Sequence, residues 1–549
     1  MATMTATETR TLGGGGDMAG TATRNDPLSA PALANLGPGF PVAHPTISHW
    51  QEHARDSPWH DHVHSTELMS KQPDDVELTI VGSGISGCLA AYFYLKQRHE
   101  EGLPGDGARG RVLLLEARRA CSGATGRNGG HCRPDSYAGF LAYSKLFSPS
   151  AAHDILCNER ETFELMRDVV QEEGLAEECE WWQGRTWALF LDVERKARAR
   201  KAFEAYRGAG HLTEGDGPGQ VQWIEDETQA REMSRVQEAV GGATFEAGCL
   251  YPLKFCHAIL RICAERYGLE LYTHTPVTAI HRGRSDEATS ARWTVATPRG
   301  TISTGKLLLA TNGYTTALLP SMNSWLAPHR AQCSSVRPSA NFHASSPGRL
   351  DRTYSLGRRE GSDYEYLTQR PDTAGGYFIL GGGHPFASKE SQVDTWDDSE
   401  VMPTISKHLS SYCGRVFDDW KLDDGGVGAV EMIWTGIQGY SRDSVPTVGE
   451  VPASLLPGAT DRRLGDEDPT TQRASGRTNL YICGSHHGHG MARAATCSRG
   501  IAREMAGEAS LLSTEASDED WAQLTGLPAV FRWTATRAQR RDVDCRYDF

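Results

Sequence analysis

Four glycines, an asparagine, two arginines and a histidine fall within SGATGRNGGHCRPD, Ser122 to Asp135, shortly after the apolar run RVLLLE that ends at Glu116. Glycine is costly in chain entropy and is kept where the backbone must turn left-handed or come very close to something else. Upstream, Gly82, Gly84 and Gly87 spell GxGxxG, with Ile85 and Ser86 inside the motif. The first glycine permits a tight turn, the second lets a pyrophosphate approach the backbone, and the third lets a helix lie close to its strand, the helix N-terminus adding positive potential. The carboxylate of Glu116 is placed to accept both hydroxyls of an adenosine ribose. The chemistry indicated is the holding of a dinucleotide. Glycine turns return at Ala310–Gly313 (ATNG) and Gly484–Gly490, far apart in the chain. A nicotinamide enzyme uses such a turn once and continues with further βαβ units; a longer cofactor approached from several directions suits this chain better, and FAD is such a cofactor.

These groups need elements to carry them. VELTIV predicts a strand over Val76–Val81, followed by the glycine turn and an amphipathic helix from Ile85 to about Glu100. Arg111–Glu116 reads as the second strand. Glu116 stands farther from Gly87 than the ~20 residues of the usual unit, the excess being the polar loop Glu101–Gly110, which a surface connection tolerates cheaply. Ala151–Arg207 reads as helices around the aromatic patch WWQGRTWALF, Gly248–Tyr267 as a helix leading into LELYTHTPVTAI, and the following stretch as strand-rich. Ser454–Gly476 is a polar loop, and NLYICGSHHGHGMARAATCSRGIAREMAG closes the fold as strand, turn and helix.

The chain has 549 residues, 39% of them hydrophobic, and a net charge of −14. That is ample for a large core and adverse to nucleic acid or an anionic membrane as main partner. Thirteen cysteines, scattered singly, suggest neither a disulfide framework nor a zinc ribbon. The first twenty residues lack the features of a secretion or transit signal, no stretch approaches the ~18 apolar residues of a membrane span, and a cytoplasmic location is the expectation. No metal site is expected: His60, His62 and His64 read as a solvated arm, and His486, His487 and His489 as cofactor-side or structural, neither trio having Cys or carboxylate partners at ligand spacing.

Taken together, GSGISG, ATGRNGG, ATNG, WTGIQGYSRDSVPTVG (Trp434 to Gly449) and GSHHGHGM resemble, in that order, the D-amino acid oxidase-like superfamily of FAD-dependent oxidoreductases, in particular the branch with gamma-glutamylputrescine oxidase and sarcosine oxidase. The likeness runs from about Pro41 to Gly507. It implies an α/β fold, with a Rossmann-type FAD-binding domain (76–150, 245–330 and 428–508) interleaved with an α+β substrate domain on a mixed or antiparallel sheet (151–244 and 331–427). A disordered leader (1–40), an extended arm (41–75) and a C-terminal tail (509–549) complete the expectation.

The same resemblance implies cofactor contacts at Gly82, Gly84, Ile85, Ser86, Gly87, Glu116, Ala117 and Arg118, then at Ser122, Gly123, Arg127, Asn128 and Gly129, where the loop follows the pyrophosphate to the flavin. The backbone of Val277 is placed at the adenine edge. Ala310, Thr311, Asn312 and Gly313 form one further turn; Gly484, Gly488, His489, Gly490 and Met491 form the turn whose helix N-terminus faces the flavin pyrimidine. Some relatives carry a lysine two residues beyond GHG, where this chain has Ala492 and then Arg493. Relatives with covalent FAD use a Cys upstream of the Asp in the Trp434–Gly449 element; here Thr435, Gly436 and Ile437 stand there with Asp443, so non-covalent FAD is expected. The implied reaction is oxidation of an amine-like small molecule by hydride transfer to flavin, with O2 as acceptor. His131, Tyr364, Tyr366, Trp434 and Arg330 are the substrate-side candidates, and no general base or oxygen-activating residue is assigned. Alternatives are a flavin-dependent tailoring enzyme oxidising a C–O or C–C bond of a specialised metabolite, and a flavin-binding regulatory protein. The oligomeric state has no sequence signal.

Overall fold

VELTIV has four apolar residues in six, and all but Glu77 are buried, as in a strand covered on both faces. In the computed structural model β1 (Val76–Val81) lies between two parallel neighbours, β2 (Arg111–Leu115) and β10 (Gly300–Leu309), with Val81 beside Leu115 and Leu309. The three strands therefore end level, and the turns that leave them open onto one edge. The structure describes residues 33–34, 36–65, 76–102, 110–283, 292–343, 348–358, 364–421, 428–457, 477–507 and 517–547. Nearly all of the expected leader and most of the polar loop 454–476 lie outside them.

The first sheet runs β16 (Thr447–Glu450), β17 (Leu480–Gly484), β10, β1, β2, β7 (Glu270–Tyr272), with β9 (Trp293–Thr297) on β10 and β8 (Ala279–Arg282) on β9. After β1, Gly82 takes φ +103°, a conformation that side chains avoid, and a Cβ at Gly87 would collide with the Gly82 carbonyl oxygen. That contact brings α2 (Ile85–Glu100) down onto the strand. On its other sides α2 packs against α4 (Pro252–Tyr267) and α5 (Ala494–Ala506), and α3 (Pro149–Glu172) packs against α5.

The second sheet runs β15 (Val430–Ser441), β11 (Leu326–Val336), β14 (Phe378–Gly382), β13 (Tyr364–Gln369), β12 (Arg352–Gly357), β4 (Trp182–Phe190), β6 (Gly241–Cys249), β3 (His131–Cys132), with β5 (Gln222–Ile224) on β6. Its pairings are antiparallel except β12 with β4. The mixed α/β architecture is the expected one, but the chain passes between sheets more often than the expected boundaries allow. β3, most of β6, the start of β11 and all of β15 were placed with the cofactor segments and belong to the second sheet. β15 pairs with β11 over nearly its whole length, and only the five residues 442–446 (RDSVP) separate it from β16 of the first sheet.

The expected extended arm contains a short capped helix. α1 (His49–His53) starts with a reciprocal capping box between Ser48 and Gln51. Trp50 is completely buried, its Nε1 donating to the Asn128 carbonyl (2.6 Å), while Ser48 Oγ donates to the Gly126 carbonyl (2.5 Å). The arm thus braces the glycine-rich loop from below. His60 is buried against His257, and His62 stacks on Trp59; the solvated placement expected for that trio holds at the exposed His64 and fails at His60, which α4 covers. The C-terminal segment also folds back: Trp521 and Trp533 are buried, and Arg537 grips the buried Asp443 through two bonds of 2.9 and 2.8 Å.

Candidate active site

The level ends of β1, β2 and β10, the glycine-rich loop, the 484–492 turn and the inner face of the second sheet enclose one continuous cavity. At the β1 end its wall holds Gly82, Gly84, Ile85 and Ser86, then Glu116, Ala117 and Arg118 at the tip of β2, with Val277 nearby. The Glu116 carboxylate is fixed in place: Oε2 accepts from Ser83 N (3.0 Å) and Ser83 Oγ (2.7 Å), and Oε1 accepts from Arg118 N (3.0 Å). Arg118 itself is neutralised by a buried two-bond pair with Asp398 (3.0 and 3.1 Å). Its charge is spent on the scaffold.

Gly123, Arg127, Asn128 and Gly129 carry the wall onward. Thr125 caps the opening of α2, its Oγ1 accepting from Ile85 N (2.9 Å). Arg127 is buried, donating to the Ser122 carbonyl (2.7 Å), Thr46 Oγ1 (3.0 Å) and the Thr435 carbonyl (2.8 Å), and burial lowers its guanidinium to about 10. Ala310, Thr311 and Asn312 line the β10 end; Gly488, His489, Gly490 and Met491 line the opposite turn. There the short helical turn 490–492 lies in the cavity wall, with α5 beginning two residues on, and the start of a helical turn favours negative charge.

Several expected contacts lie behind the wall. Gly87 packs α2 onto its turn. Ser122 contributes its carbonyl to Arg127, not a face to the cavity. A Cβ at Gly313 would come 2.8 Å from the Gln438 carbonyl oxygen, and one at Gly484 would come 3.2 Å from Asn312 Cα, so these two glycines let turns pack against each other. Arg493, considered as a cation for the flavin, is buried below its turn and bonded to Glu159 (2.8 Å), Tyr143 Oη (2.6 Å) and the Ser444 carbonyl (2.8 Å). Burial opposes a charged Glu159, but Arg493 and His489 hold its carboxyl down at about 2.

On the second-sheet side, His131, Tyr364 and Tyr366 face the cavity. His131 Nε2 meets Thr353 Oγ1 at 2.7 Å, and burial, with Arg133 nearby, pushes the imidazole down to about 3, so it is neutral at ordinary pH. The Tyr366 hydroxyl sits 3.0 Å from Cys333 Sγ. Trp434 and Arg330 do not reach the cavity. Trp434 is fully buried beneath the loop, donating to the Arg127 carbonyl (2.7 Å), and Arg330 is folded onto the carbonyls of Ser391 and Asp397. Sequence reasoning missed Arg133, Gln332, Cys333, Ser355, His384 and Tyr440, which complete this wall, and Phe40 of the expected leader. Only Arg133 left a signal, standing two residues past His131 in the quoted loop. Gln332, Cys333, Ser355 and Tyr440 come from strands whose inward face becomes known only with the sheet, and His384 and Phe40 from turns that only the fold brings there.

A nucleotide-binding turn, a ribose-type carboxylate, a donor-rich loop and a helix N-terminus thus share one elongated cavity. The family model described as DAO, FAD dependent oxidoreductase, matches residues 77–504. The chain belongs to this family of FAD-dependent oxidoreductases. FAD fits the residues present: Tyr314 Oη and Arg127 Nη2 belong to lining residues and are buried without a protein partner, as donors waiting for a ligand are. Other members of this fold are only distantly alike in sequence. Glycine oxidase from Geobacillus kaustophilus is 19% identical, the alignment covering 80% of this chain and 98% of that one with a TM-score of 0.55. L-proline dehydrogenase from P. horikoshii is 18% identical over 79% and 94%, with a TM-score of 0.53. A curated relative, probable oxidoreductase OrdL of Haemophilus influenzae, is 21% identical over 254 residues, 46% of this chain and 52% of the relative. That match spans about half the length of the relative.

Proposed function

We propose that this FAD-dependent oxidoreductase oxidises the C–N bond of a small amine or amino acid carrying a carboxylate, with FAD held non-covalently and O2 as the acceptor. The observation that carries this reading is the charge pattern of the second-sheet wall. Arg133 lies over the Phe245 ring (4.8 Å), makes no ion pair among the described residues, and its buried Nε has no partner. The neutral groups His131, Tyr364 and Tyr366 line the same cavity. The carboxylate of Glu116 belongs to the β2 end, and among the described residues no other acid lines the cavity.

Bound FAD supplies a two-electron acceptor for a C–H bond next to nitrogen. What this chain's residues provide is orientation and dryness. Arg133 pairs with the substrate carboxylate in two parallel bonds; the rings of Tyr364 and Tyr366 exclude water from the C–N unit; the neutral His131, anchored by Thr353, leaves the amine unprotonated by any neighbour. Loss of two electrons and two protons from the CH–NH unit gives an imine that water hydrolyses, and O2 taking up the same electrons and protons leaves as hydrogen peroxide. The names of the two solved neighbours, an oxidase and a dehydrogenase, both point to amino-acid substrates and differ over the acceptor.

Non-covalent FAD is supported by Thr435, Gly436 and Ile437, which offer no thiol where covalent relatives carry one, and a Cβ at Gly436 would press on the Arg127 side chain at 3.0 Å. Cys333, the cysteine that does line the cavity, is engaged by the Tyr366 hydroxyl. The test is anaerobic mixing of the yellow protein with a panel of amino acids and their decarboxylated amines. Bleaching by acids and not by amines, with peroxide on admitting air, is expected; bleaching only by alcohols or by carboxylate-free amines defeats the proposal.

A further inference from the structure

His49 and His53 stand four residues apart on α1, which puts both imidazoles on one face, with ring centroids 4.0 Å apart. Across from them lies Glu431 on β15. One ligand atom from each of the three falls within 4.8 Å of the other two. We propose that His49, His53 and Glu431 bind a late first-row divalent cation of the Zn2+ type, with solvent completing its coordination. Two imidazoles and a carboxylate are a donor set such ions accept, and one open position is compatible with a tetrahedral site.

The surroundings are those of a ligand set. His53 Nδ1 lies 3.0 Å from the His49 carbonyl oxygen; only a protonated Nδ1 can make that bond, which leaves the Nε2 lone pair free, the arrangement usual for metal-bound histidine. His49 is 2% exposed, and its Nδ1 is buried with no hydrogen-bond partner. Arg370, close to His49, is paired with Glu180 (2.5 Å), a carboxylate that Lys254 shares at 2.8 Å. Arg337 holds Glu431 Oε1 at 3.0 Å, while Oε2 is buried without a hydrogen-bond partner. Tyr377 closes the side, its ring 5.0 Å from His49 and 5.7 Å from His53. The exposed edge of His53 gives the ion its way in.

Such an ion would pin α1 to β15. Because Ser48 and Trp50 hold the carbonyls of Gly126 and Asn128, the pin fixes the segment that supports the cofactor loop. The site is independent of the substrate assignment, since none of its ligands lines the cavity.

The test uses the FAD-loaded full chain, stripped with a chelator, then titrated with ZnCl2 while bound zinc is measured by elemental analysis and melting by flavin fluorescence. One zinc per chain and a rise in melting temperature are expected. His53→Ala and Glu431→Gln should keep the flavin spectrum but bind zinc at least ~100-fold more weakly, since loss of even an outer-shell partner costs 10–100-fold. A wild-type chain that takes up no zinc overturns the proposal. So does equal uptake in both variants, which would place the ion elsewhere, for instance among the buried thiols of Cys88, Cys121 and Cys256.

Discussion

At the scale of single residues, charge placement separates groups that face the ligand from groups that hold the scaffold. Arg118, Arg127, Arg330 and Arg493 are all buried or folded onto protein acceptors, whereas Arg133 is left with a ring beneath it and the cavity in front. A charge-assisted hydrogen bond contributes roughly 1.5–3 kcal/mol, so Arg133→Met should raise KM for a carboxylate substrate by about 10- to 100-fold with a smaller change in kcat. Steady-state kinetics read both, and Lys should rescue only in part because it lacks the planar fork. Gly82→Ala gives a different outcome. Its φ of +103° and a Cβ 2.7 Å from the Ala310 carbonyl oxygen force the turn open, so the purified variant should be colourless and should not regain flavin absorbance on adding FAD.

Elements turn these residues toward one another. The loop 123–129 has little regular structure of its own and is held from below by α1: Trp50 carries the Asn128 carbonyl, and the Tyr251 hydroxyl in turn donates to the Trp50 carbonyl. Trp50→Phe keeps most of the buried area and removes that indole donor, leaving a part-buried carbonyl unpaired at a cost of about 1–3 kcal/mol. The expected result is a looser loop, seen as roughly 10-fold weaker FAD binding by equilibrium titration while the far-ultraviolet spectrum of the protein stays unchanged. Of this arrangement, the strand, turn and α2 were legible because hydrophobic period and glycine spacing are local properties. The bracing role of α1 was not, since the partners of Trp50 are separated from it by dozens of residues and only the folded backbone brings them together.

The whole molecule adds two couplings. His131, His257, His329 and His486 are each pushed down to about 3, chiefly by burial. Above the ordinary value of 6.5 they are neutral folded or unfolded and contribute nothing to the pH dependence. As pH falls below 6.5 the unfolded chain takes up protons that the folded chain refuses, so stability drops by about 1.4 kcal/mol per pH unit for each such histidine until the folded values are reached. The carboxyl of Glu159, held at about 2, acts in the same direction at lower pH. Thermal melts should therefore vary little between pH 7 and 8 and fall steeply between pH 6 and 4; a flat acid limb would contradict the buried neutral imidazoles. The second coupling is the C-terminal segment, whose Arg537 neutralises the fully buried Asp443 beside the end of β15. Removing one partner of such a pair costs about 3–5 kcal/mol, so Arg537→Met should lower the melting temperature sharply, and Asp443→Asn in the same chain should recover part of the loss.

The order of the motifs, the cofactor they serve and the α/β class were already determined by residue type and spacing, because a dinucleotide turn is built from neighbours in the chain. Which residues face the substrate was decided only by tertiary structure. Tyr364 and Tyr366 point into the cavity and Trp434 beneath it because of how β13 and β15 are set in a sheet whose strands come from both halves of the chain. The same long-range pairing hides Gly313, Gly484 and Arg493 behind the wall and leaves Arg133 before it. A side chain's neighbours across a sheet are fixed by register and closure, and neither is a property of the sequence that immediately surrounds it.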